Sequence, residues 1–134
     1  MSAYRPFTTP PDLDEFAAMA EEALGSIPAE LASLADGVIL RVDEFPDEDT
    51  QQAMALQSPF ELLGLYTGIP FGEKELATAE QPDMIFLYRR PILDYWCDTG
   101  EDLFHVIRHV VIHEIGHHFG LSDDDMEALE RQNE

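Results

Sequence analysis

Residues 101–120 read EDLFHVIRHVVIHEIGHHFG, and the fold turns on whether this stretch is a helix or a strand. Its β-branched content favours a strand. Its length does not: the fifteen residues from Glu101 to Ile115 contain neither Gly nor Pro, and Val110-Val111-Ile112 breaks the alternation of a half-buried strand. At about 100° per residue, Leu103, Phe104, Val106, Ile107, Val110, Val111, Ile112, Ile115 and Phe119 cover most of a helical circumference. A helix apolar nearly all round is a buried one. Gly120 stands just past the last periodic residue, where a left-handed C′ residue ends a helix.

Downstream, Ser122 with Asp125 three residues later makes a capping box and predicts a last helix from Asp123 to about Glu130, with Met126 in the core. Upstream, Met84-Ile85-Phe86-Leu87-Tyr88 is a continuous apolar run, the strongest strand signal in the chain, and Pro91 ends it. Residues 91–100 then read as a loop carrying Trp96 and Cys97. Glu61–Tyr66 is a second strand, with Gly64 inside it and Gly68 and Pro70 closing it; residues 71–82 are a polar connection. Val38–Val42 is a short β-branched strand. Residues 43–60 are an acidic loop with a helical turn near Gln51–Leu56.

Nearer the N-terminus, Leu13, Phe16, Ala17, Ala20 and Leu24 recur at helical spacing behind a cap at Thr9 or Asp12, and Gly25 closes that helix. Pro28–Leu34 is a shorter helical piece ended by Asp36-Gly37. Residues 1–11 read as an extended arm and 12–134 as a single domain. Helices, then strands, then helices predict an α+β fold, a small sheet packed against helices including the buried one.

A chain of 134 residues can bury a core without staples. Its 28 acidic and 7 basic residues leave a formal charge of −21, repelled by every phosphate, and Arg5, Arg41, Arg89, Arg90, Arg108 and Arg131 form no stripe. Nucleic acid and anionic membranes are therefore excluded as partners. A cationic peptide or a metal ion suits this charge, although most of it serves a solvated surface. Cys97 is the only cysteine, and Met1–Phe16 has no apolar core of a secretory signal, so the expected address is the cytoplasm.

The buried helix carries His113-Glu114-Ile115-Gly116-His117. Residues four apart differ by only about 40° around a helix, so His113 and His117 leave one face and can grip one ion. Glu114, rotated by about 100° from His113, flanks the pair without competing as a ligand. An H-E-x-x-H helix is the signature of a zinc site with a carboxylate beside it. An ionised Glu on a core helix also needs a partner, which a bound cation supplies.

The pattern continues through Gly120 to Asp123, giving H-E-x-x-H-x-x-G-x-x-D. Where zinc peptidases extend the motif this way, the chain turns at the Gly and the residue three further on returns to the metal. Here that residue is Asp123, although an acid in the first turn of a capped helix is expected for helix-dipole reasons alone. Asp124 and Glu127 are alternative third ligands. His105 and His109 lie on the same helix at further four-residue steps; a satisfied core histidine is the plainer reading of His109, with a supporting or substrate-side role as the alternative. His118 points away from the metal pair.

The chain resembles the minimal zincin-like metallopeptidases of bacteria. The resemblance runs over about residues 12 to 130. It is carried by Pro28–Leu34, Val38–Val42, Pro46-Asp47, Leu62–Pro70, Pro82–Pro91 and, most specifically, Val111–Gly120. It implies a compact fold with a small mixed sheet and an active-site helix, one Zn2+ held by His113, His117 and Asp123, and Glu114 as the general base. Seventeen residues of the sequence follow His117, so the lower subdomain that walls the cleft of larger zincins is expected to be missing, and with it efficient cleavage of proteins.

The expected activity is peptide hydrolysis by a zinc-activated water, with Glu114 moving the proton. The expected substrate is a peptide or unfolded protein lying along an exposed sheet edge, for which Glu61–Tyr66 is the candidate strand. Tyr66, Tyr88 and His109 are candidates to steady the oxyanion, with a core role the plainer reading of both tyrosines. Two other classes stay open: a non-catalytic, metal-dependent peptide-binding module, and a purely structural metal site.

Overall fold

The computed structural model describes residues 9–68 and 83–131. Asp12 opens helix α1 (Leu13–Gly25) with a full capping box: its carboxylate accepts from Glu15 N–H, and Glu15 accepts from Asp12 N–H. Pro28 precedes α2 (Ala29–Leu34), and Gly37, at φ 77°, turns the chain into β1 (Ile39–Asp43). A short α3 (Glu48–Ala53), capped by Asp47, and a 3-10 turn at Pro59–Glu61 lead to β2 (Gly64–Thr67). Then follow β3 (Met84–Tyr88), α4 (Arg89–Thr99), α5 (Leu103–His118) and α6 (Asp123–Arg131).

β3 is the middle strand of a three-stranded mixed sheet. β1 runs parallel to it, with Ile39 opposite Met84 and Asp43 opposite Tyr88; β2 runs antiparallel, with Gly64 opposite Leu87 and Thr67 opposite Met84. Among the described residues β2 is therefore an edge strand. α5 is the axle of the molecule, touching α1, α2, α4, α6, β2 and β3. Val106, Ile107, Val110, Val111, Ile112 and Ile115 of α5 are buried among Phe16, Met19, Leu31, Ile85, Leu87 and Ile92. The α+β architecture and the buried helix are as the sequence indicates.

Two expectations change. Residues 91–100 are not a loop: α4 runs through them, and Pro91 lies in its first turn, where a missing N–H breaks no intrahelical bond. Ile92, Leu93 and the half-buried Trp96 give that helix its apolar side, and Gly100 caps it in the left-handed region. The second strand begins at Gly64 rather than Glu61, because Ser58 and Pro59 start a 3-10 turn there. The expected polar connection at 71–82 and most of the N-terminal arm lie outside the described residues. The end of the arm is held where Arg89 donates from Nε and Nη2 to the Pro11 carbonyl, at 2.9 and 2.7 Å, and from Nη1 to Glu44 at 2.9 Å. Among the described residues no helix is long and apolar enough to cross a membrane.

Candidate active site

Asp102 starts α5 by accepting from His105 N–H at 3.0 Å, and Gly120, at φ 78°, stops it. The stop is a Schellman motif: Leu121 N–H donates to the Gly116 carbonyl at 2.9 Å, and Gly120 N–H to that of His117 at 3.2 Å. The chain re-enters as α6 through the expected capping box, with Asp125 N–H donating to Ser122 Oγ at 3.1 Å. The H-E-x-x-H helix, the glycine turn and the acidic helix start are thus three consecutive pieces of backbone.

His113 and His117 leave α5 as neighbours, their ring centroids 5.8 Å apart and their planes nearly perpendicular. Their surroundings differ. The side chain of His113 is 19% exposed, whereas that of His117 is 58% exposed. Asp123, itself in solvent, brings Oδ1 to 4.0 Å from His117 Nε2. Asp124 and Glu127 are exposed.

Among the described residues, the tightest donor group is a different one. Atoms of His109, His113 and Glu130 lie within 4.8 Å of one another. The His109 ring stacks on that of His113 at 4.0 Å, and its Nδ1 is 2.6 Å from Glu130 Oε1. Glu130 is buried, and sequence reasoning passed over it. One signal was present: Glu130 lies four residues after Met126, so it shares the core-facing side of α6 with a residue read as core.

These donors fit a divalent cation. His113 Nε2 is buried without a hydrogen-bond partner among the described residues, with Glu130 Oε2 3.4 Å away. A buried polar atom left in that state is costly, and a metal ion would satisfy it. Burial, then the neighbouring His109, hold His113 below the ordinary imidazole range against the pull of Glu130, which favours the neutral ring that binds metal.

Glu114 faces the other way, towards the sheet. Burial pushes its carboxyl up to about 7, opposed by a hydrogen bond from the backbone N–H of Tyr66. Gly64 permits this approach: a Cβ there would lie 2.9 Å from Val110 Cγ1, 3.0 Å from the Phe86 carbonyl and 3.3 Å from Glu114 Cγ. Tyr88 N–H donates to the Leu63 carbonyl at 3.0 Å. Antiparallel alternation then turns the backbone groups of Gly64 and Tyr66 away from β3, to the side on which no strand pairs among the described residues.

The tyrosines keep their protons at neutral pH. Tyr88 is pushed up to about 12, chiefly by burial, and Tyr66 is raised by burial and then by Asp83. The Tyr66 hydroxyl donates to Asp83 Oδ2 at 2.7 Å, a core role. His118 stacks on Tyr66 with centroids 4.3 Å apart, a packing role on the far side of α5 from the metal pair.

Comparison with curated proteins finds no match. Residues 35–133 match the family model of the zincin-like metallopeptidases. That span contains all three strands, the H-E-x-x-H helix and the helix that follows it, and the chain belongs to the zincin-like metallopeptidase family.

Proposed function

We propose that the protein is a zinc-dependent peptidase in which Glu114 is the general base and an extended peptide lies along β2. The observation that carries this reading is the hydrogen bond from Tyr66 N–H to the Glu114 carboxylate, which ties the base to β2, the edge strand among the described residues. His113, His117 and Asp123 would hold the metal. When bound, zinc supplies Lewis acidity towards the scissile carbonyl and makes water more acidic.

The chain's own groups do the rest. Glu114, lifted to about 7 by burial, is matched to taking a proton from water and returning it to the departing amine near neutral pH. The Gly64 N–H and carbonyl and the Tyr66 carbonyl face outward for a peptide strand, while the Tyr66 N–H is taken by Glu114. The two edges of the sheet differ in a way that favours β2: β1 carries the exposed ion pair Arg41–Asp43, at 3.1 Å, whereas Gly64-Leu65-Tyr66-Thr67 is uncharged. Charged side chains discourage strand addition. The acidic surface favours a cationic peptide.

The test is Glu114→Gln against wild type on a peptide library enriched in Lys and Arg. Zinc content should be unchanged and cleavage should fall at least about a hundredfold, the usual contribution of a general base. Equal inertness of both proteins, with both still binding peptides, would favour the non-catalytic binding module instead.

A further inference from the structure

The H-E-x-x-H-x-x-G-x-x-D pattern does not use the donor group with the shortest mutual distances. His109 and His113 are four residues apart on α5 and project together, and Glu130 reaches them from α6. The carboxylate spans both rings, with Oε1 2.6 Å from His109 Nδ1 and Oε2 3.4 Å from His113 Nε2. Two imidazoles and one carboxylate are a complete protein donor set for zinc, with one position left for water.

The site is built rather than fortuitous. Arg108, buried on the same helix, donates from Nη1 to the Glu130 backbone carbonyl at 3.0 Å and from Nε to Ser26 Oγ at 3.2 Å, which anchors the end of α6. A hydrogen bond between His109 and Glu130 satisfies those two side chains without an ion, yet leaves buried His113 Nε2 with only the 3.4 Å approach of Glu130 Oε2, short of a well-formed hydrogen bond.

We propose that His109, His113 and Glu130 form a second divalent-metal site, which shares His113 with the motif set and is therefore occupied in alternation with it. A neutral imidazole nitrogen binds one ion at a time, so an ion held by His109 and Glu130 withdraws His113 from His117 and Asp123. The ligand is a borderline cation such as Zn2+, because imidazole and carboxylate donors suit it. This site does not depend on the protein being a peptidase.

The experiment is titration of the metal-stripped full chain with Zn2+ by calorimetry, with far-UV circular dichroism on every variant. Wild type should bind one equivalent. His117→Ala with Asp123→Ala should still bind one equivalent, within about tenfold of the wild-type affinity; adding His109→Ala, or separately Glu130→Gln, should weaken it at least a hundredfold. His109 is half exposed, so its variant does not depend on tolerance of a change at buried Glu130. A folded His117→Ala, Asp123→Ala variant that binds zinc no better than its His109→Ala derivative overturns the site. Two equivalents in wild type overturn the alternation, and none overturns both. His109→Ala with Glu130→Gln isolates the motif set: that protein should still bind one equivalent of zinc, and a folded variant that binds none would overturn the alternation while leaving the new site in place.

Discussion

Gly116 and Met126 share a single packing position. A Cβ on Gly116 would overlap Met126 Sδ and lie 2.7 Å from its Cγ. Gly116 lies on α5 between the two motif histidines, and Met126 is fully buried on α6. This contact sets the distance between the helices that carry His113 and His117 on one side and Asp123 and Glu130 on the other.

Gly116→Ala should therefore cost about 1–3 kcal/mol, as overpacking in a close-packed core does. In a Met126→Ala background the sign should reverse: the space is vacated, and Ala is favoured over Gly in a helix by up to about 1 kcal/mol. Urea denaturation of the four proteins in this cycle is the check. A cost that persists in the Met126→Ala background would mean that another neighbour limits Gly116.

Glu114 should destabilise the metal-free protein at neutral pH and above. Its carboxyl stands at about 7 when folded against an ordinary value of 4.5. Above 7 the native state carries a buried charge that the unfolded chain solvates. As pH falls from 7 towards 4.5 only the native state takes up the proton, so stability rises, and below 4.5 both states are protonated and the gain is complete. Glu114→Gln removes this dependence. Its advantage over wild type should be about 1–3 kcal/mol at pH 8 and should shrink by about 2 kcal/mol at pH 5, measured by urea melts with a chelator present. A pH-independent difference would refute the buried-charge account.

Arg108→Lys should loosen α6 more than the rest of the molecule. The fork from Arg108 to Ser26 and to the Glu130 carbonyl cannot be reproduced by an ammonium on a flexible stem. A loss of about 1–3 kcal/mol is expected for these buried bonds. Hydrogen exchange should accelerate first at residues 126–131, and uniform acceleration throughout the fold would show that Arg108 supports the core at large.

Two glycines with open space around them should respond in opposite directions to Ala. A Cβ added at Gly25 or at Gly120 would meet no atom within 4 Å, so packing does not distinguish them. Gly120 sits at φ 78°, where Ala loses about 1–2 kcal/mol, whereas Gly25 is the last residue of α1, where Ala gains up to about 1 kcal/mol. Thermal melts of the two variants should shift down and up respectively.

Much of the fold follows from short-range signals. Glu101–Ile115 is free of breakers, Gly120 must be left-handed, and Met84–Tyr88 is apolar throughout; the corresponding elements are α5, its Schellman stop and β3. Pro91 misled because the same residue that ends a strand is tolerated in the first turn of a helix, and only the packing of Ile92 and Leu93 distinguishes the cases. At the site, the nearness of His113 and His117 is a property of one helix and is readable at sight. Glu130 depends on the angle between α5 and α6, which is fixed by Gly116 against Met126, and no local spacing encodes it.

The unequal exposure of the motif residues bears on how quickly an ion comes and goes. Were His113, His117 and Asp123 to hold an ion, the exposed His117 and Asp123 would let an incoming chelator reach its outer side before the bond to the sheltered His113 broke. Loading at that position is expected to track free zinc in the surrounding medium on the timescale of mixing, so the protein's metal content would report the present availability of the ion rather than what it met earlier.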